Sequence, residues 1–102
     1  MADFDGLRDK VLNWAFNRRI IQNGSAIAQL TKTEEEVAEL REALENEDKD
    51  AMVDAYGDVL VTLIIGAEIA GLDLLDCLEA AYEEIKDRTG YLNEDGIFIK
   101  DV

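Results

Sequence analysis

Apolar residues recur every three or four positions along most of the chain, a rhythm that predicts helices. Val11, Leu12, Ala15, Phe16 and Ile20 mark the stripe of a first helix from about residue 6 to 22, with Asp5 placed to cap it. Asn23-Gly24 stops that helix. Ser25 can then cap a second one reaching Glu45, with Ile27, Leu30, Val37, Leu40 and Leu44 facing inward. After a break at Asn46 to Asp48, a third helix capped by Asp48 runs to Ala70 and ends at Gly71. Asp73 can cap a fourth, whose core stripe is Leu74, Leu78, Ala81, Tyr82 and Ile85 and which ends by Thr89-Gly90. The tail YLNEDGIFIK sets two short apolar pieces around Asp95-Gly96, the mark of a tight turn in a hairpin or in an arm reaching over a neighbour. The expectation is an all-α protein, one domain over residues 1–102, built as a four-helix bundle with a short non-helical C-terminal tail.

Two of these helices carry acids in places that ordinary surface charge does not explain. In KTEEEVAEL, helical geometry puts Glu36 and Glu39 with Gln29 and Lys32 on one strip beside the apolar stripe. Glu35 borders that strip, whereas Glu34, Arg41 and Glu45 fall on the opposite flank. On the third helix Asp54 and Asp58 lie one turn apart and continue a stripe formed by Val61, Thr62, Ile65 and Ile69. The other side of that helix is apolar too, through Val53, Tyr56, Leu60, Leu63, Ile64 and Ala67, so it is expected to be buried on both sides. An unpaired ion there would cost several kcal/mol, and a cation from solution is its natural partner.

Composition narrows which cation and which partners. With 10 basic and 24 acidic residues the net charge is −14, which argues against a grip on nucleic acid or an anionic membrane. There is no histidine, so the usual proton shuttle and the usual zinc ligand are both missing. Oxygen-only ligands favour a hard ion, magnesium or manganese, and magnesium held this way keeps positions open for substrate phosphates. One cysteine, Cys77, rules out an intrachain disulfide framework and fits a reducing cytoplasm. The N-terminus does not read as a signal peptide, and the longest apolar stretch, interrupted by Glu68, does not read as a membrane span. At 102 residues a single core is small enough that self-association would help it.

Gln29, Lys32, Glu35, Glu36 and Glu39 in QLTKTEEEVAEL, followed by DAYGDVLVTL and later AYEEIKDRTG, resemble the MazG-like all-α nucleoside triphosphate pyrophosphohydrolases. The resemblance is to the small kind found in phage and bacterial genomes, and it extends from Trp14 to Lys100. It implies a four-helix unit in a homodimer or homotetramer, in the cytoplasm of a bacterium or a phage-infected host. The implied activity cleaves a nucleoside triphosphate to the monophosphate and pyrophosphate. The implied magnesium ligands are Glu36, Glu39 and Asp58, with Asp54 as a fourth because Ala55 stands where the family's second motif carries glutamate. Glu35 or Glu39 would accept the proton of the attacking water. Lys32, Lys86 and Arg88 would meet the triphosphate, and Trp14 and Gln29 would line the base and sugar pocket. The competing reading is a non-catalytic acidic binding protein, either a nucleotide binder or a mimic of DNA charge, which predicts acids spread over an outer surface.

Overall fold

The computed structural model describes residues 3–101. Along the chain run α1 (Phe4–Asn17), α2 (Ile20–Asn23), α3 (Ala26–Glu45), α4 (Lys49–Ile69), α5 (Leu74–Ile85), β1 (Gly90–Leu92) and β2 (Phe98–Lys100). The protein is all-α apart from this final hairpin. No described helix is long and apolar enough to cross a membrane.

Side-chain caps start the long helices. Ser25 Oγ accepts from the Ala28 amide at 3.1 Å, Asp48 Oδ1 from Ala51 at 3.1 Å and Asp73 Oδ1 from Leu75 at 2.9 Å, as the sequence predicts. At α1 the cap is Asp3, not Asp5: Asp3 Oδ1 accepts from the Gly6 amide at 2.7 Å, so the helix starts earlier than expected. Asp5 instead falls in the first turn, where the helix dipole favours an acid, and meets Arg8 at 3.3 Å. The first predicted helix is also two. Arg18 and Arg19 donate to the carbonyls of Ala15 and Phe16, and Arg19 turns left-handed at φ 62° before α2 begins. No glycine or proline announces that break. Gly71, at φ 81°, closes α4 in a conformation that an L side chain enters at a cost of roughly 1–2 kcal/mol.

The tail folds back on itself. Tyr91 pairs with Ile99 in an antiparallel hairpin, and Asn93 Oδ1 accepts from the amides of Asp95 and Ile97 at 2.9 Å each across the turn.

The centre of the fold is the antiparallel α3–α4 pair, with α1 laid against α4 and α5 meeting α4 through its start. Arg8 Nη1 ties α1 to the α5 cap by a 2.8 Å bond to Asp73 Oδ2. Buried positions on α3 are Thr33, Glu36 and Ala43, and on α4 Ala55, Thr62, Ile64 and Ile65. With half-buried Leu40 and Asp58 added, the facing residues run 33, 36, 40, 43 against 55, 58, 62, 65, the alternating three-and-four spacing of a tight helix seam. Small side chains let the helices approach, and Thr33 Oγ1 donates to Thr62 Oγ1 at 2.8 Å inside the seam.

This seam overturns the expected inward stripe of the second helix. Ile27 is 75 % exposed, Leu30 53 %, Val37 46 % and Leu44 43 %, so most of that stripe stays open, while Leu40 enters the seam and Leu30 borders α4 beside Leu63 and Ala67. Likewise Val53, Tyr56, Leu60 and Leu63 leave one side of α4 open, and no residue of α5 is buried, although Leu78, Tyr82 and Ile85 were expected in the core. The physical reason is that bulky residues would hold two helices apart, whereas the small-residue face packs closer. The accessible surface, 7845 Å², exceeds the roughly 5,800 Å² expected for a folded monomer of this mass. The radius of gyration is 15.9 Å against the roughly 13 Å of a compact chain of this length.

Candidate functional site

Glu36 occupies a seam position of α3 and therefore enters the α3–α4 interface, where carboxylates are rarely found alone. Asp58 approaches from the facing row of α4, and Glu39 joins from the next turn of α3. One oxygen from each of the three lies within 4.8 Å of the others. Glu36 Oε1 has Lys32 Nζ at 3.4 Å, one helical turn earlier, and Lys32 also reaches Glu35 Oε2 at 3.6 Å. Glu36 Oε2 is buried and has no hydrogen-bond partner.

Crowding like charges shows in the protonation equilibria. Glu39 holds its proton more tightly than an ordinary glutamate, first because once protonated it can donate to the Glu36 carboxylate and then through the Glu36 charge, with Lys32 opposing. Asp58 is raised as well, by loss of water first and then by the charges of Asp54 and Glu36. Lys32 is held protonated above the ordinary lysine value, chiefly by Glu35 and then by Glu36. Both raised carboxylates bind protons more strongly folded than unfolded. Their destabilising effect is therefore complete above the folded values and is relieved as pH falls toward the unfolded values of about 4. Thermal melts in chelator are expected to show this relief as a higher Tm at pH about 4.5 than at about 7.5. With a divalent cation present the order should reverse, because protons compete for the same oxygens. A chelated protein equally stable at both pH values would contradict this account.

The donor set fits a hard divalent ion. It offers carboxylate oxygens from two helices, one of them buried and unpartnered, and no nitrogen or sulfur ligand.

A family model for the MazG nucleotide pyrophosphohydrolase domain matches residues 25–92, two thirds of the chain and all three clustered carboxylates. The chain belongs to the MazG family. No curated protein and no solved structure matches it at a significant level. The MazG domain carries nucleotide pyrophosphohydrolase activity as its family function, which agrees with the class of chemistry the carboxylates suit.

Against the residues named from the sequence, this MazG structure brings some together and leaves others apart. Glu36, Glu39 and Asp58 converge, with Lys32 and Glu35 on the rim. Asp54 is exposed and stands outside the trio, acting on Asp58 through its charge. Ala55, three residues before Asp58, is the buried one, so a side chain at that position faces α3 and one at 54 does not. Gln29 is half-buried one turn before Thr33, with Gly66 of α4 opposite its Cβ. Trp14 lines a depression together with Asp58. Lys86 pairs with Glu83 at 2.6 Å on the last turn of α5, and no contact carries it or Arg88 to the trio. Sequence reasoning missed Lys10, which lines the same depression as Trp14; the signal was the spacing of Leu7, Lys10, Val11 and Trp14 on one face of α1.

Proposed function

We propose that this MazG protein hydrolyses a nucleoside triphosphate, ribo or deoxyribo, between its α- and β-phosphates, giving the monophosphate and pyrophosphate with magnesium as the cofactor. The observation that carries the reading is the buried Glu36 carboxylate, one oxygen unpartnered, within 4.8 Å of Glu39 and Asp58. Glu36, Glu39 and Asp58 would hold the ion, with manganese as the substitute, and Asp54 would support it by charge from outside the trio. When bound, a divalent ion supplies charge neutralisation between the carboxylates and the phosphate oxygens, which the acidic cluster alone would repel.

The chain's own residues do the remaining work. Lys32 bridges Glu35 and Glu36, and its ammonium would offset the charge that grows on the departing pyrophosphate. Glu35, exposed and paired with Lys32 outside the trio, would take the proton of the water that attacks the α-phosphorus, with Glu39 as the alternative acceptor. The proton leaves on the carboxylate and the phosphoanhydride electrons leave with pyrophosphate. Trp14 would stack the base, and Gln29 would reach the sugar. Lys86 and Arg88 would meet the phosphates from the segment just after α5 of a second copy. A homodimer or homotetramer is the proposed assembly, supported by the excess surface and by the open faces of α3, α4 and α5. The cytoplasm is the proposed setting.

Pyrophosphate release from a panel of ribo- and deoxyribonucleoside triphosphates tests the reading directly, with magnesium, manganese or chelator. Release is expected only with metal, and Glu39→Ala should lower it on the order of a hundredfold or more. A folded protein releasing nothing from any triphosphate would sink the hydrolase and point to Ala55 as the position that cost it activity.

A further inference from the structure

The segment that walls one side of this site lies outside the family match. α1 spans Phe4–Asn17, whereas the MazG model begins at residue 25, so what α1 contributes is not dictated by the matched motifs. Between α1 and α4 lies a depression of about 430 Å³, within the range of small-molecule sites. Its lining is Leu7, Lys10, Val11 and Trp14 from α1 and Asp58 and Val61 from α4. Asp58 belongs both to the depression and to the carboxylate trio, so the two are continuous.

The lining constrains the occupant. Three aliphatic side chains and an indole suit a flat apolar ring and disfavour a phosphate chain, which would lose its water there. Arg18 braces the indole, its guanidinium carbon 4.6 Å from the ring centroid and its Nη1 donating to the Trp14 carbonyl at 3.2 Å. Beyond Asp58, which faces the other carboxylates, the charged group left in the depression is Lys10. Among the described residues Lys10 enters no ion pair. An ammonium donates three hydrogen bonds and accepts none. Facing a base, it is satisfied by ring carbonyls, O4 of thymine or uracil and O6 with N7 of guanine. The exocyclic amino groups of cytosine and adenine oppose it donor to donor.

We infer that Lys10 is a specificity-determining residue that selects nucleotides with keto-bearing bases, the base lying against Trp14 in the α1–α4 depression. The inference rests on the preceding reading, in which the carboxylates handle the phosphates and leave this adjoining slot to the nucleoside. Lys10 is exposed and water meets its ammonium when the base does not, so the discrimination is that of one charge-assisted hydrogen bond, about tenfold.

Trp14 is the chain's sole tryptophan, so its fluorescence reports occupancy of the slot without any turnover. Thymidine and deoxycytidine are titrated into the full chain with chelator present. Thymidine is expected to quench Trp14 at a concentration about tenfold lower than deoxycytidine, and Lys10→Met should bring the two within about twofold. Lys10 is exposed, so the variant should keep the native far-ultraviolet dichroism. Equal quenching by the two nucleosides, no quenching by either, or a preference that survives Lys10→Met would each overturn the inference. Nucleosides carry no phosphoanhydride and chelator removes metal, so a failure of pyrophosphate release would sink the hydrolase separately from this result.

Discussion

Glu36→Gln is expected to abolish metal-dependent pyrophosphate release while making the metal-free protein more stable. Only a carboxylate kept for binding gives both signs at once. The Glu36 side chain is 10 % exposed, has one buried oxygen without a partner and sits beside two further carboxylates. Glutamine keeps the shape, removes a negative charge and adds an N–H that Glu39 or Asp58 can accept. Relieving one unsatisfied buried polar atom is worth roughly 1–3 kcal/mol. Calorimetric melts in chelator should therefore show a higher Tm for the variant. The native protein should gain stability on adding magnesium or manganese, and Glu36→Gln should lose that gain. Activity should fall on the order of a hundredfold or more, since even outer partners of a metal ligand cost 10–100-fold when changed. A variant less stable than native in chelator would make Glu36 a structural anchor through Lys32, and the site would need rebuilding from Glu39 and Asp58.

Leu78→Asp with Tyr82→Asp on α5 is expected to convert the proposed oligomer to a monomer with much reduced thermal stability. The chain exposes about 2,000 Å² more surface than a folded monomer of its mass should. Standard protein interfaces cover about 800 Å² per partner, so an excess of this size matches an obligate interface. Leu78 and Tyr82 are each 57 % exposed on a helix that meets α4 through its start, and Ile85 extends the same open face. Two aspartates there would have to be desolvated on association, which apolar burial could not offset. Sedimentation equilibrium distinguishes the outcomes. The native chain should sediment as two or four copies at micromolar concentration and the variant as one. A native chain that sediments at 11.4 kDa throughout would defeat the proposal and leave the open faces to another partner.

Reading the faces of α3 shows where sequence reasoning succeeded and where it stopped. Helical periodicity correctly grouped Glu36 with Glu39 and Lys32, and correctly separated them from Glu34 and Arg41. It also grouped Ile27, Leu30, Val37, Leu40 and Leu44, but took this most apolar face as the one turned to the chain's own core, where only Leu40 enters the seam. The structure turns the small-residue face inward instead, Thr33 and Ala43 against Ala55 and Thr62. Periodicity states which residues share a face; it does not state which face meets which helix. The same limit explains Asp54, whose angular neighbourhood to Asp58 was right but whose side chain remains in water. The break at Arg19 was illegible for a different reason, since an arginine at φ 62° has no local signature.

The sequence by itself determined the helices α3, α4 and α5, their caps at Ser25, Asp48 and Asp73 and the acidic motif, because each depends on neighbours within a few residues. Only the tertiary structure decided that Glu36 is buried with an oxygen unpaired, that Asp58 meets it across the seam and that Lys10 and Trp14 share a slot with Asp58. Those facts depend on how closely α3, α4 and α1 approach, and side-chain volume across an interface sets that distance rather than any pattern along one helix.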